Sequence, residues 1–178
     1  TSNTFNAATT FSGGRLHLEN SGALGGATLN VEAGSAKTID NTSGSASTLV
    51  GNFAQNWNDD LTFAGTNDLD MGNGAVTLGG LDIDRTLDVQ AGTLTVGEIK
   101  SIVHGLIKQG SGTLVLSSNG AGVAASVLAG PLQVSGGTVQ INRTGSDAAG
   151  SGDLTMTGLD GTGTISNGAA AQRWLFVN

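Results

Sequence analysis

Gly112-Thr113-Leu114-Val115-Leu116 is a glycine followed by a short alternating strand, and the chain keeps returning to that phrase. It reads Gly13-Gly14-Arg15-Leu16-His17-Leu18, Gly92-Thr93-Leu94-Thr95-Val96 and Gly136-Gly137-Thr138-Val139-Gln140-Ile141 elsewhere. The copies are irregular, but neighbouring ones lie about 20 to 25 residues apart, a spacing typical of solenoids in which each repeat leans only on the next.

Composition points the same way. Thirty glycines and one proline in 178 residues, with roughly a fifth serine plus threonine, describe many short strands punctuated by turns. No stretch keeps a 3.6-residue apolar period for more than a turn or two. A hydrophobic content of 38% is enough to fold a chain so rich in glycine. Strands are expected near 9–11, 15–19, 27–32, 37–40, 60–63, 68–71, 75–78, 85–90, 93–96, 98–103, 106–108, 113–117, 132–134, 138–142, 153–157 and 172–177. In Arg85-Thr86-Leu87-Asp88-Val89-Gln90, Leu87 and Val89 share one face, while Thr86, Asp88 and Gln90 share the other. One face is buried and the other wet. With no Tyr and few Phe and Trp, a closed barrel fits less well than an all-β, right-handed parallel β-helix, a β-solenoid of roughly eight coils and about 40 Å. Residues 1–178 form one such unit.

Seven basic against fourteen acidic residues give a net charge of −7. Nothing gathers the cations into a patch, which argues against nucleic acid or an anionic membrane as partner. The absence of cysteine excludes disulfides and thiolate metal sites. A cysteine-free, lysine-poor chain rich in Gly, Ser, Thr and Asn suggests a bacterial surface. No apolar run is long enough to cross a membrane as a helix, and no targeting segment is visible.

The phrases resemble the autotransporter-associated β-strand repeats of long bacterial surface proteins and autotransporter passengers. The resemblance rests on Gly110-Ser111-Gly112-Thr113-Leu114-Val115-Leu116-Ser117, on Asn3-Thr4-Phe5 continued by Thr10-Phe11-Ser12-Gly13-Gly14-Arg15-Leu16-His17-Leu18, and on Leu132-Gln133-Val134-Ser135-Gly136-Gly137-Thr138-Val139-Gln140-Ile141. Ala8 stands where that pattern often has Gly, and 119–131 is an alanine-rich replacement of its Asn-Thr-Phe turn. The resemblance implies a β-helix and an extracellular location, and says little about a ligand.

The two ends carry a sharper expectation. Read into the first residues, the last ones give Arg-Trp-Leu-Phe-Val-Asn followed by Thr-Ser-Asn-Thr-Phe, an unbroken member of the pattern. A solenoid end without a cap exposes unpaired backbone and an apolar column. The segment 172–177 is apolar on both faces, Trp174 and Phe176 on one and Leu175 and Val177 on the other. Its cover comes either from a loop around Trp57 or from a neighbouring unit. Thr4, Phe5, Phe11, Trp174, Leu175, Phe176 and Val177 are therefore the expected contacts between units, with copies of the chain itself as partners.

Chemistry has little support. Asp68/Asp70 and Asp82/Asp84 are i, i+2 pairs whose carboxylates share a face, as polysaccharide-cleaving carboxylates do. Their alternate residues, Leu69 and Met71 or Leu81 and Ile83, are apolar, so a solvated face is the better reading. Asn58, Asp59, Asp60, Asn67, Asp68 and Asp70 are rich in oxygen, yet no calcium-binding loop pattern is present. His17, expected to point outward, and His104 are far apart. No catalytic residue, metal or cofactor is expected. Asn41-Thr42-Ser43 and Asn142-Arg143-Thr144 fit a glycosylation sequon. The expectation is a structural subunit of an extracellular fibre, with an adhesin stalk that binds glycans as the alternative and an enzyme third.

Overall fold

The computed structural model describes residues 3–4, 7–81, 83–119, 126–144, 154–168 and 175–177. It is all-β with no helix among them, and its strands build three parallel sheets around one column of apolar side chains, a β-solenoid. The first sheet has eight strands, Thr9–Phe11, Leu29–Val31, Gln55–Trp57, Val76–Leu78, Ile99–Lys100, Ser126–Val127, Leu154–Met156 and Leu175–Val177, in that order. The second has seven: Gly14–Leu18, Lys37–Asn41, Leu61–Phe63, Arg85–Val89, Leu106–Gln109, Leu132–Val134 and Leu159–Gly161. The third has six: Ser47–Thr48, Leu69–Asp70, Thr93–Val96, Thr113–Asn119, Thr138–Thr144 and Thr164–Asn167. The chain visits first, second and third sheet in turn, so each strand pairs with the strands one coil before and after it.

Alternation fixes the register. Leu87 pairs with Leu61 on one side and Lys108 on the other, and Leu94 lies between Leu69 and Leu114. A slip of one residue would turn every inward leucine into water. Partners lie between 20 residues apart (Thr9 with Leu29) and 28 apart (Ser126 with Leu154). Insertions are absorbed at the corners, where glycines turn the chain. Every positive φ among the described residues belongs to a glycine. At Gly110, with φ +75°, a Cβ would also lie 2.2 Å from the Val89 carbonyl oxygen of the previous coil.

The core is leucine- and valine-rich, with Trp57 its largest apolar member and Phe11, Phe53 and Phe63 next. Trp57 corrects one expectation. It sits in a strand between Leu29–Val31 and Val76–Leu78, 1% exposed, with its indole N–H donating to Gln55 Oε1 at 3.3 Å. Being in the middle of the first sheet, it gives no cover to 175–177. A second correction concerns Leu81 and Ile83, which lie in a corner loop and are 75% and 59% exposed rather than facing inward from a strand. At the end nearer Thr9 the third sheet has no strand. A turn over 20–26 takes its place, with Asn20 Oδ1 accepting from Gly22 N–H at 3.0 Å and Leu24 driven into the core. Val50 N–H donates to Ser21 O at 2.8 Å and docks that turn.

Candidate functional site

Most of the polar residues that looked like ligands are joints between coils, while Asp70 closes a turn within its own. Asp68 Oδ1 accepts from Thr93 N–H at 2.7 Å, one coil on, and Asp70 Oδ1 accepts from Gly72 N–H at 2.8 Å. Asp60 Oδ1 accepts from Thr86 N–H at 2.8 Å, and Asp84 Oδ1 from Gly105 N–H at 2.6 Å. Asn56 donates to Asn30 Oδ1 and Asn58 to Glu32 Oε1, both at 2.8 Å, while Asn67 reaches Asn41 O. Coils in a solenoid touch only through such neighbours, so these bonds set their stacking. Asp82 lies outside the described residues. Among those described, no three His, Asp or Glu are placed to hold one metal ion.

Among the described residues, three buried cations were not foreseen. Lys37, Arg85 and Lys108 are 4%, 2% and 0% exposed. Burying a charge is costly unless it is compensated; Lys37 has a carboxylate partner, whereas Arg85 and Lys108 are held by backbone carbonyls. Lys37 Nζ meets Asp59 Oδ2 at 2.6 Å, which holds that carboxyl below its ordinary value against the opposing effect of burial. The Arg85 guanidinium donates to Gly79 O at 2.6 Å and also to Leu81 O. Lys108 donates to Gln109 O, Gly110 O and Gly136 O. Burial pushes the Lys108 pKa down to about 8, against the pull of Asp88. The signal was present, because alternation places each cation on the inward face of its strand, Lys37 with Ile39, Arg85 with Leu87 and Lys108 with Leu106.

The expected contacts between units divide as follows. Phe11 is 8% exposed and packs in the core from the first strand of the first sheet. Thr4 is exposed. Leu175 and Val177, 38% and 51% exposed, continue the inward columns of Leu154 and Met156, with Phe176 paired to Thr155 between them. Phe5 and Trp174 lie outside the described residues. A cavity of about 340 Å³ opens there, lined by Val134, Leu159, Ile165 and Leu175.

The sequon asparagines differ in access. Asn41 is fully buried, and its amide donates to Ser45 O at 2.8 Å and Asp68 O at 2.7 Å. In the folded rod it offers no amide for a sugar. Asn142 is exposed, as is His17. A second concavity, about 420 Å³, lies outside the second sheet, with Lys37, Asp60, Thr86, Asp88 and Gln109 in its lining.

No protein-family model matches the sequence, and neither a curated protein nor a solved structure matches it closely enough to count as a relative. The likeness to autotransporter-associated repeats therefore rests on the phrases alone.

Proposed function

We propose that this chain is a structural subunit of an extracellular bacterial filament or surface fibre, extended by end-to-end stacking of β-solenoid coils. In this reading it is a right-handed rod of roughly eight coils, the hand following from the strong preference of parallel crossovers. The observation that carries the proposal is the cavity at Leu159, Ile165 and Leu175, where inward columns reach solvent beside strand edges that have no partner among the described residues. An apolar column that reaches solvent at a solenoid end favours a further coil, whether from a continuing chain or a second copy. The 20–26 turn supports a junction in which the first and second sheets run on while the third is interrupted.

The polar groove outside the second sheet favours a second reading, an autotransporter passenger or adhesin stalk that binds host or matrix glycans. Electron microscopy separates the two. A filament with an axial repeat of roughly 35–45 Å, the height of about eight coils at strand spacing, is expected of the fibre. Short isolated rods at high concentration would shift the assignment to the stalk. Both readings place the protein at the cell surface, without catalysis or a cofactor.

A further inference from the structure

Asp160-Gly161 is the one aspartate-glycine pair in the chain, and it lies at the open end of the second sheet. The strand Leu159–Gly161 pairs with Leu132–Val134 on one side, and its other edge meets no strand among the described residues. Both residues are exposed. Gly161 has φ +112°, a backbone that glycine adopts readily and other residues rarely do, and a Cβ there would run into the Val134 carbonyl.

The hydrogen bonds set this pair apart. Two residues on, Gly163 N–H turns back to Val134 O at 2.7 Å and secures the coil. Gly161 N–H instead donates to Asp160 Oδ1 at 2.6 Å, the carboxylate of the residue directly before it. That contact folds the side chain over its own peptide bond and brings the Gly161 nitrogen beside Asp160 Cγ, the approach that closes a cyclic imide. Glycine, without a Cβ, leaves the nitrogen unshielded. Two asparagine-glycine pairs carry a side chain that cyclises more readily, but the fold withholds them. Gly168 N–H is committed to Ile141 O at 3.0 Å. Asn73-Gly74 is wedged between coils, where a Cβ at Gly74 would strike Phe53 O and one at Gly97 would strike Asn73 O.

We propose that Asp160 is a site of spontaneous isomerisation to isoaspartate. The Gly161 nitrogen adds to Cγ of the protonated carboxyl. The new Cγ–N bond replaces a Cγ–O bond, and that oxygen leaves as water with the carboxyl proton and the amide proton. Water then opens the imide. Cleavage between nitrogen and Cγ restores aspartate, whereas cleavage between nitrogen and the main-chain carbonyl carbon routes the backbone through Cγ and leaves the carboxylate on Cα. One water is released and one consumed, so the reaction needs no other reagent.

The product matters at this end of the rod. Isoaspartate adds a methylene to the main chain, so Gly161 can no longer stand opposite Val134 and the alternation of the strand is broken. In the fibre reading, on which this consequence alone rests, the edge of Leu159–Gly161 receives the next coil. An aged end loses its template, and filaments grow from freshly made ends.

Ageing the folded full chain in ¹⁸O-labelled water tests the proposal, at a pH of about 5, close enough to the ordinary carboxyl range for protonated acid to be present. Digestion with trypsin in ordinary water then releases residues 144–173, which hold Asp160 together with Asp147, Asp153 and Asn167. Each passage through the imide fixes one heavy oxygen. Residue 160 is expected to gain label ahead of Asp147, Asp153 and Asn167, and an isomer of unchanged sequence to separate on chromatography. Asp160→Glu keeps the charge on an exposed side chain, so it should retain the thermal midpoint and lose the label at residue 160. An unlabelled residue 160, or one labelled no faster than Asp147 and Asp153, overturns the inference. The labelling is read whether or not filaments form, so a chain that never assembles counts against the fibre reading alone. Where filaments do form, aged wild type should seed less elongation than aged Asp160→Glu, and equal seeding overturns the role at the tip.

Discussion

Lys108 Nζ lies 3.1 Å from the carbonyl oxygen of Gly136, a residue one coil further along the rod, and it holds two carbonyls of its own coil as well. One buried ammonium thus fastens two successive corners.

Its pKa, lowered from 10.5 to about 8, makes stability depend on pH. Between those values the unfolded chain holds the proton and the folded chain does not, so stability rises with pH through the window. Below pH 8 the buried charge costs up to about 3 kcal/mol relative to alkaline solution. Urea unfolding from pH 7 to 10.5 should show this rise in wild type. Lys108→Met should remove that part of it, and an unchanged slope in the variant would refute the assignment.

Arg85→Met should destabilise by about 2–3 kcal/mol, because the lost hydrogen bonds are charge-assisted and their acceptors are partly buried. The effect should be local as well as global. Hydrogen exchange at the amides of 79–83 should quicken more than at Leu94 or Val96, deep in the third sheet.

Asn41→Ala removes an amide that bridges Ser45 O and Asp68 O and accepts from Ser43. Asp68 O keeps the Ser47 N–H and Ser45 O keeps the Ser43 hydroxyl, so the cost is that of the lost amide bonds, about 1–3 kcal/mol in denaturant unfolding. Peptide mapping of native material should find Asn41 without sugar, whatever it finds at Asn142.

Gly110→Ala and Gly44→Ala separate conformation from contact. Both glycines have positive φ, +75° and +87°, but a Cβ at Gly44 meets nothing within 4 Å. Gly44→Ala should cost only the left-handed penalty of about 1–2 kcal/mol. Gly110→Ala adds the clash with Val89 O and should cost more, read from the shift in denaturation midpoint. Equal losses would mean that close stacking of corners is unimportant.

Much of the architecture is legible from period two alone. The strands at 9–11, 93–96 and 132–134 are found at the expected bounds, and most others within two residues, because their leucines and valines alternate with polar residues. Gln55–Trp57, Ser47–Thr48, Ser126–Val127, Leu159–Gly161 and Thr164–Asn167 were not expected. Gln55 and Ser126 are polar side chains facing inward, and the other three are short or end-lying, so only pairing with neighbouring coils makes them strands. Asp68 and Asp70 were legible as residues alternating with the inward Leu69 and Met71; the loop of Asp84 was not. Nor was the bonding of these carboxylates, since Asp68 finds Thr93 and Asp84 finds Gly105 only once the coils are stacked.

The spacing of 20 to 28 residues between partners also determines how the rod responds to force. Each coil advances the axis by roughly 4.8 Å, but a released coil of about 25 residues reaches roughly 80–90 Å when drawn straight. Because a coil is held only by its neighbours, tension applied at the termini would peel coils off one after another. Each release would dissipate work and lengthen the chain many-fold, so a rod of this build would yield to load stepwise rather than snap.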